Sequence, residues 1–113
     1  MRELTLAVPA ANGQGAAQRY YGGWCKIWCW GSDFDSGTVT IQVSPDGGTT
    51  WLTAVDMDGV DITFAANGVA NFSGAVPDGA TVRTSLAGSS GGTAVTCKLV
   101  YGWAETRDRE MQR

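Results

Sequence analysis

Apolar and polar residues alternate with a period of two along most of this chain. In GTVTIQVS, Val39, Ile41 and Val43 fall on one face and Thr38, Thr40 and Gln42 on the other. VDITF sets Val60, Ile62 and Phe64 against Asp61 and Thr63, and ATVRTSLAG sets Val82, Thr84 and Leu86 against Thr81, Arg83 and Ser85. AVTCKLVYGW aligns Val95, Cys97, Leu99, Tyr101 and Trp103 against Thr96 and Lys98. Each reads as a half-buried strand. Between them lie turn clusters: GSDFDSG, SPDGG, MDG, AANG, VPDGA and AGSSGG. The pattern predicts eight strands, near 3–8, 20–30, 37–44, 50–55, 60–65, 69–76, 80–87 and 93–103. Short strands at this spacing, joined by Gly-rich turns, predict an all-β sandwich or barrel.

Two stretches break the pattern. PAANGQGAAQR, Pro9 to Arg19, lacks bulky apolar residues and reads as an ordered loop or N-terminal arm within the domain. AETRDREMQR, residues 104–113, is charged and free of Gly, and reads as a C-terminal arm. Glu105 and Arg109 sit at i,i+4, but ten residues make a marginal helix alone. The 113 residues therefore divide into one β domain over 1–103 and an arm over 104–113. A domain of this length buries roughly 65% of its unfolded surface, enough for a core without staples.

Charge sharpens the picture. The chain has 8 basic and 11 acidic residues, no His, and a net charge of −3. No Lys or Arg lies between Lys26 and Arg83, where seven Asp occur: 33, 35, 46, 56, 58, 61 and 78. An acidic middle offers no clustered cations for phosphates, so no nucleic-acid partner is expected. Asp rather than Glu points to turns, since Asp bonds its own neighbouring backbone. No run of 18 apolar residues occurs, so no membrane partner is expected either. The start, MRELTLAVPAANG, lacks the pattern of a secretory signal, and synthesis in a cytoplasm is the expectation.

Cys25, Cys29 and Cys97 are an odd number of thiols. On one strand, Cys25 and Cys29 lie about 13 Å apart on one face, too far for a disulfide. Either can meet Cys97 across strands, but buried reduced thiols are the expected state. The Asp-rich loops GSDFDSG and VDMDGVD read first as turns and second as a structural Ca²⁺ site, since the EF-hand spacing is not met. With no His and no CxxC pair, no metal or cofactor is expected. No nucleophile has a partner base, no G-x-S-x-G occurs, and Asp56, Asp58 and Asp61 are the only close carboxylates, so no enzyme is expected.

SPDGGTTW, Ser44 to Trp51, reads as S-x-D-x-G-x-T-W and resembles the Asp-box turn of sialidases at each defined position. In such a hairpin Asp46 accepts backbone N–H groups, Gly48 supplies a special conformation, and Ser44, Thr50 and Trp51 brace the turn. A propeller blade takes about 40–50 residues, so this chain is too short for a six-bladed enzyme. The box occurs once and is a structural turn. The combination of Thr38–Trp51 with VPDGATVRTSL, Val76 to Leu86, is similar to small tailed-phage head decoration (cement) proteins. That resemblance covers roughly residues 37–100. It implies a sandwich or jelly-roll on the capsid surface of a virion, bound to the major capsid protein as a symmetric homo-oligomer, with a trimer at three-fold positions as the expected form. On that reading the two arms, with Arg107, Arg109 and Arg113 in the second, reach neighbouring subunits.

YYGGWCKIWCW, Tyr20 to Trp30, is apolar on both faces of its strand. Trp24, Lys26, Trp28 and Trp30 share one face; Cys25, Ile27 and Cys29 share the other. One face must enter the core and the other must be covered, because monomers seldom leave a large aromatic patch bare. Three readings remain: a strand covered by its own loops, a subunit or capsid interface built from Tyr20, Tyr21, Trp24, Trp28 and Trp30, or a sugar-stacking surface on a tail- or head-fibre module that recognises a cell-surface glycan.

Overall fold

Ten antiparallel strands make up the regular structure of the computed structural model, which describes residues 2–20, 23–72 and 79–101. They are β1 (Arg2–Leu6), β2 (Gly13–Gln14), β3 (Gln18–Arg19), β4 (Cys25–Asp33), β5 (Thr38–Ser44), β6 (Leu52–Thr53), β7 (Thr63–Phe64), β8 (Gly68–Phe72), β9 (Thr81–Ala87) and β10 (Ala94–Tyr101). One sheet has four strands in the order β1-β10-β4-β8. The second runs β2-β9-β5-β6, with β3 also on β9 and β7 also on β5.

β2 and β3 occupy successive stretches of the same β9 edge, and β6 and β7 successive stretches of the same β5 edge. Taking each pair as one interrupted strand leaves eight, though not the eight expected: residues 13–19 add a strand read as a loop, and the strands expected near 50–55 and 60–65 become one. In that count the sheets run first-eighth-third-sixth and second-seventh-fourth-fifth. This is the strand order of a jelly-roll, two sheets closed by Greek-key connections. The all-β sandwich read from the sequence is the fold.

The core follows from the alternation. β4 buries Cys25, Ile27 and Cys29; β10 buries Cys97, Leu99 and Tyr101; β5 buries Val39 and Ile41; β9 buries Val82, Thr84 and Leu86. Leu6, Tyr20, Ile62, Phe64 and Phe72 complete it. Two sheets packed by inward residues of this kind exclude water from a single layer of side chains. Thr84 is a polar exception on β9: fully buried, it donates its hydroxyl to the Ala7 carbonyl.

Pro9–Arg19, read as an ordered loop or an arm within the domain, is ordered and adds two short strands. Rather than an arm reaching a neighbouring subunit, it crosses from the first sheet to the second and pairs with β9 of its own chain. Between β2 and β3 the Gly15 N–H donates to the Thr84 carbonyl at 3.0 Å. Only glycine fits there, because a Cβ would overlap the Ala7 carbonyl. The Thr93 N–H donates to the Ala10 carbonyl at 3.1 Å, and the Asn12 amide oxygen accepts from the Ser89 N–H at 2.8 Å. The segment carries no apolar period because it is held by main-chain bonds at a sheet edge. Residues 104–113 lie outside the described residues.

Candidate functional site

The tryptophans expected at an interface stand on the outer face of the four-stranded sheet. β4 turns the small Cys25, Ile27 and Cys29 inward and the bulky alternate residues outward, leaving Trp24, Trp28 and Trp30 at 46%, 44% and 43% exposure. Register places Trp28 between Lys98 on β10 and Val69 on β8, and Lys26 between Val100 and Asn71. Trp30 lies opposite Thr96. Val69 is exposed as well. Directly paired side chains in a sheet sit about 5 Å apart, so these rows form one continuous surface.

An open groove of about 590 Å³ runs through this face, lined by Trp28, Trp30, Asn67, Gly68, Val69, Lys98 and Val100. Its amide and ammonium side chains each make a bond within the chain. The Asn67 Oδ1 accepts the Gly31 N–H at 2.9 Å, and the Lys98 ammonium pairs with Glu3 at 3.1 Å. The surface left to a ligand is aromatic and aliphatic, with Lys26 and Lys98 beside it. An apolar side chain fits such a groove better than a sugar, whose hydroxyls need several convergent polar partners.

Tyr20 is a correction. It was expected at the interface, but it is 1% exposed and stacks against Phe72 at 5.3 Å and Tyr101 at 6.0 Å between ring centroids. Its hydroxyl donates to the Gly23 carbonyl at 2.9 Å, and burial holds its pKa well above the ordinary phenol value. It closes one end of the core. Tyr21, Arg107, Arg109 and Arg113 lie outside the described residues.

The SPDGGTTW turn is built as its residues imply. Asp46 Oδ1 accepts the Ser44 hydroxyl at 2.7 Å and the N–H groups of Thr50 and Thr49 at 2.8 and 3.1 Å. The Ser44 hydroxyl accepts the Gly48 N–H at 2.8 Å, and Gly48 has φ +117°. Trp51 donates its indole N–H to the Gly48 carbonyl at 3.0 Å, while the Arg83 guanidinium lies 3.9 Å over its ring and also donates to Gln42 at 2.8 Å. This turn joins β5 to β6 in the second sheet, away from the tryptophan groove.

Chiefly the Thr50 N–H, and then the Ser44 hydroxyl, hold the Asp46 carboxyl well below the usual carboxylate range. A depressed folded-state pKa contributes stability that is complete above the unfolded value, near 4, and is lost as pH falls through the folded value. Asp46→Asn should therefore lower the melting temperature at neutral pH. It should also flatten the fall in stability between about pH 4 and pH 2, where the unchanged chain loses the benefit of this carboxylate. Thermal melts across that range check both effects; parallel acid profiles for the two chains would show that the turn does not depend on this charge.

Asp35, with φ 51°, is a second carboxylate lock. Its Oδ2 accepts the N–H groups of Gly92 and Ser90 at 2.7 and 2.9 Å and the Ser89 hydroxyl at 3.2 Å. These donors, the Gly92 N–H foremost, pull its pKa down. Asp33 Oδ1 accepts the Asp35 N–H at 2.7 Å, and Asp56 Oδ1 those of Asp58 and Val60 at 2.8 and 3.0 Å. These four aspartates perform turn chemistry. Among the described residues no three acidic, Cys or His side chains converge as a metal site.

Cys25, Cys29 and Cys97 are free and buried. Cys29 and Cys97 are register partners across β4 and β10. The hydrogen bond between their thiols, reinforced by burial, pushes Cys97 far above the ordinary thiol range, and burial pushes Cys25 up to about 12. The same bond from Cys97 lowers Cys29, but Cys29 has no exposed surface through which to meet a substrate.

One exposed apolar cluster escaped the sequence reading. Val60, expected inward with Ile62 and Phe64, is 60% exposed, because the chain turns at Asp56–Gly59 and alternation resumes only at Ile62. Leu52, Val55 and Met57, on the same stretch of chain, are exposed as well. The dense apolar content of a short Asp-Gly turn, VDMDGV, was the available signal.

No family model, curated protein or solved structure matches this chain.

Proposed function

We propose that this protein is a non-enzymatic structural component of a tailed-phage virion, a head decoration module. In this reading it docks to other protein subunits, the major capsid protein or its own copies, through the outer face of the four-stranded sheet. The observation that carries the docking surface is the Trp28/Trp30 groove, apolar and exposed, with Asn67 and Lys98 already bonded. The virion setting rests on the likeness of Thr38–Trp51 and Val76–Leu86 to decoration proteins. Jelly-rolls build viral shells and lectins alike, so the fold fits this setting without choosing it. Binding the assembled shell but not its dispersed subunits stabilises the shell by RT ln(1 + [L]/Kd) at each site.

Two measurements test this reading. Quantitative mass spectrometry of purified particles should find hundreds of copies, in simple ratio to the major capsid protein. A handful of copies would assign the chain to a tail or fibre, and absence from particles would end the virion reading. Trp28→Ala should weaken attachment to shells lacking the protein by about thirtyfold or more, as for a central aromatic anchor. A shift of tryptophan fluorescence with oligosaccharides, and unchanged attachment to shells, would instead favour the glycan-binding alternative, which the pair of tryptophans in one groove keeps in play.

A further inference from the structure

The exposed cluster that follows β6 has the shape and chemistry of a ligand. After Ala54 bonds to Ile41 at the edge of the second sheet, the chain leaves the sheet, turns at Asp56–Gly59, and returns at Ile62. The excursion is held by its own hydrogen bonds. The Asp56 N–H donates to the Val60 carbonyl at 2.8 Å and the Gly59 N–H to the Asp56 carbonyl at 3.0 Å. The Asp56 carboxylate caps the Asp58 and Val60 N–H groups, and Val55 bridges Asp61. On this braced finger Met57 and Val60 stand 58% and 60% exposed, flanked by the exposed carboxylates of Asp58 and Asp61.

The Trp28/Trp30 groove is its complement. It is apolar as the finger tip is apolar, and Lys26 and Lys98, the latter paired with Glu3 in its own chain, stand beside it with charge opposite to the finger's carboxylates. At about 590 Å³ it has room for both apolar side chains. Finger and groove belong to opposite sheets of the sandwich, so two different patches of one surface are complementary. Such a pair makes heterologous contacts, which close into a ring when the rotation permits. A finger braced by its own hydrogen bonds also loses less entropy on docking than an unbraced loop would.

We propose that the Asp56–Gly59 finger of one copy seats Met57 and Val60 in the Trp28/Trp30 groove of the next, joining subunits head to tail into a closed ring. This rests on the reading of the groove as a protein-docking surface, and names its occupant as a second copy of this chain.

Sedimentation of the full chain should show one oligomeric species dissociating to monomer on dilution. Met57→Asp and Trp28→Ala should each weaken self-association by about thirtyfold or more while leaving the thermal transition in place. The decisive test mixes these two variants. Met57→Asp retains an intact groove and Trp28→Ala an intact finger, so together they should form a heterodimer and nothing larger. Lys98→Glu should also weaken assembly, and Asp58→Lys should restore it. An unchanged chain that is monomeric at every concentration, an oligomer indifferent to both substitutions, or variants that fail to complement would each overturn the proposal. Monomeric protein whose attachment to shells still depends on Trp28 would overturn it while leaving the docking-surface reading intact. Self-assembly through finger and groove in a protein absent from particles would uphold it while ending the virion reading.

Discussion

Ile27→Ala should lower the unfolding free energy by about 2–5 kcal/mol, the range for emptying a closed aliphatic site. Ile27 has no exposed surface and lies mid-sheet, in register with Leu99 on β10 and Ala70 on β8. Strands on both sides fix the backbone, so the cavity cannot collapse by moving one loop. Against a total stability of about 5–15 kcal/mol this is a large fraction. At about 4–8 °C per kcal/mol near this size, the midpoint should fall by about 10 °C or more. Its neighbour supplies the contrast. Trp28→Ala removes a larger side chain from the outer face of the same strand and should change stability by less than about 1 kcal/mol. Guanidinium titrations with unchanged slope would measure both. Reversal of the two effects would mean that the tryptophans, not Cys25, Ile27 and Cys29, face the core.

Gly31→Ala should be comparably damaging, by a different route. Gly31 faces Val95 where the register of β4 on β10 slips between Ala94 and Val95. A Cβ at Gly31 would overlap the Ala94 carbonyl and come within 2.6 Å of the Val95 Cα. Those are main-chain atoms, and no rotamer change relieves them. The strands must part, straining the bulge and the 2.9 Å bond from the Gly31 N–H to Asn67. A loss of about 2–4 kcal/mol is expected, from overpacking together with weakened hydrogen bonds. Amide exchange should accelerate at Val95 and Thr96. Gly92→Ala is the control, since its nearest neighbour, Asp35 Oδ2, lies at an ordinary 3.5 Å. Equal stability of the two variants would show that close approach at Gly31 is unimportant.

The strands that sequence reading located best are those with one wet face. Val39 and Ile41, Val82 to Leu86, and Cys97 to Tyr101 alternate against Thr, Arg and Lys, and the structure buries the apolar set. The Asp-box was equally legible, because its donors and acceptor lie within eight consecutive residues. β4 was legible as a strand but not in orientation, since both of its faces are apolar. The large tryptophans stay outside, and the smaller Cys/Ile/Cys face meets the core. Tyr20 was misread because an aromatic beside tryptophans looks like surface; its partners Phe72 and Tyr101 are brought to it only by the fold. β2 and β3 gave no periodic signal, for they are held by backbone pairing and by polar side chains such as Gln14 and Gln18 rather than by an apolar face. The tie from Asp35 to the Ser89–Gly92 loop spans more than fifty positions, and local pattern does not carry such distances.

The crossing of residues 9–19 between sheets also sets the order of events in folding. β1 pairs with β10, Thr5 opposite Lys98, and β2 pairs with β9, Gln14 opposite Ser85. The first twenty residues thus have no strand partner until residues 81–101 have been made. Such long closures slow folding to about the millisecond-to-second range, since loop entropy is lost before contacts compensate for it. At about 5–20 residues per second, translation leaves the opening segment waiting for several seconds. The segment's own composition suits that wait: from Pro9 to Arg19 it is mostly Ala, Gly and Gln and holds no large apolar side chain, with little for another nascent chain to grip.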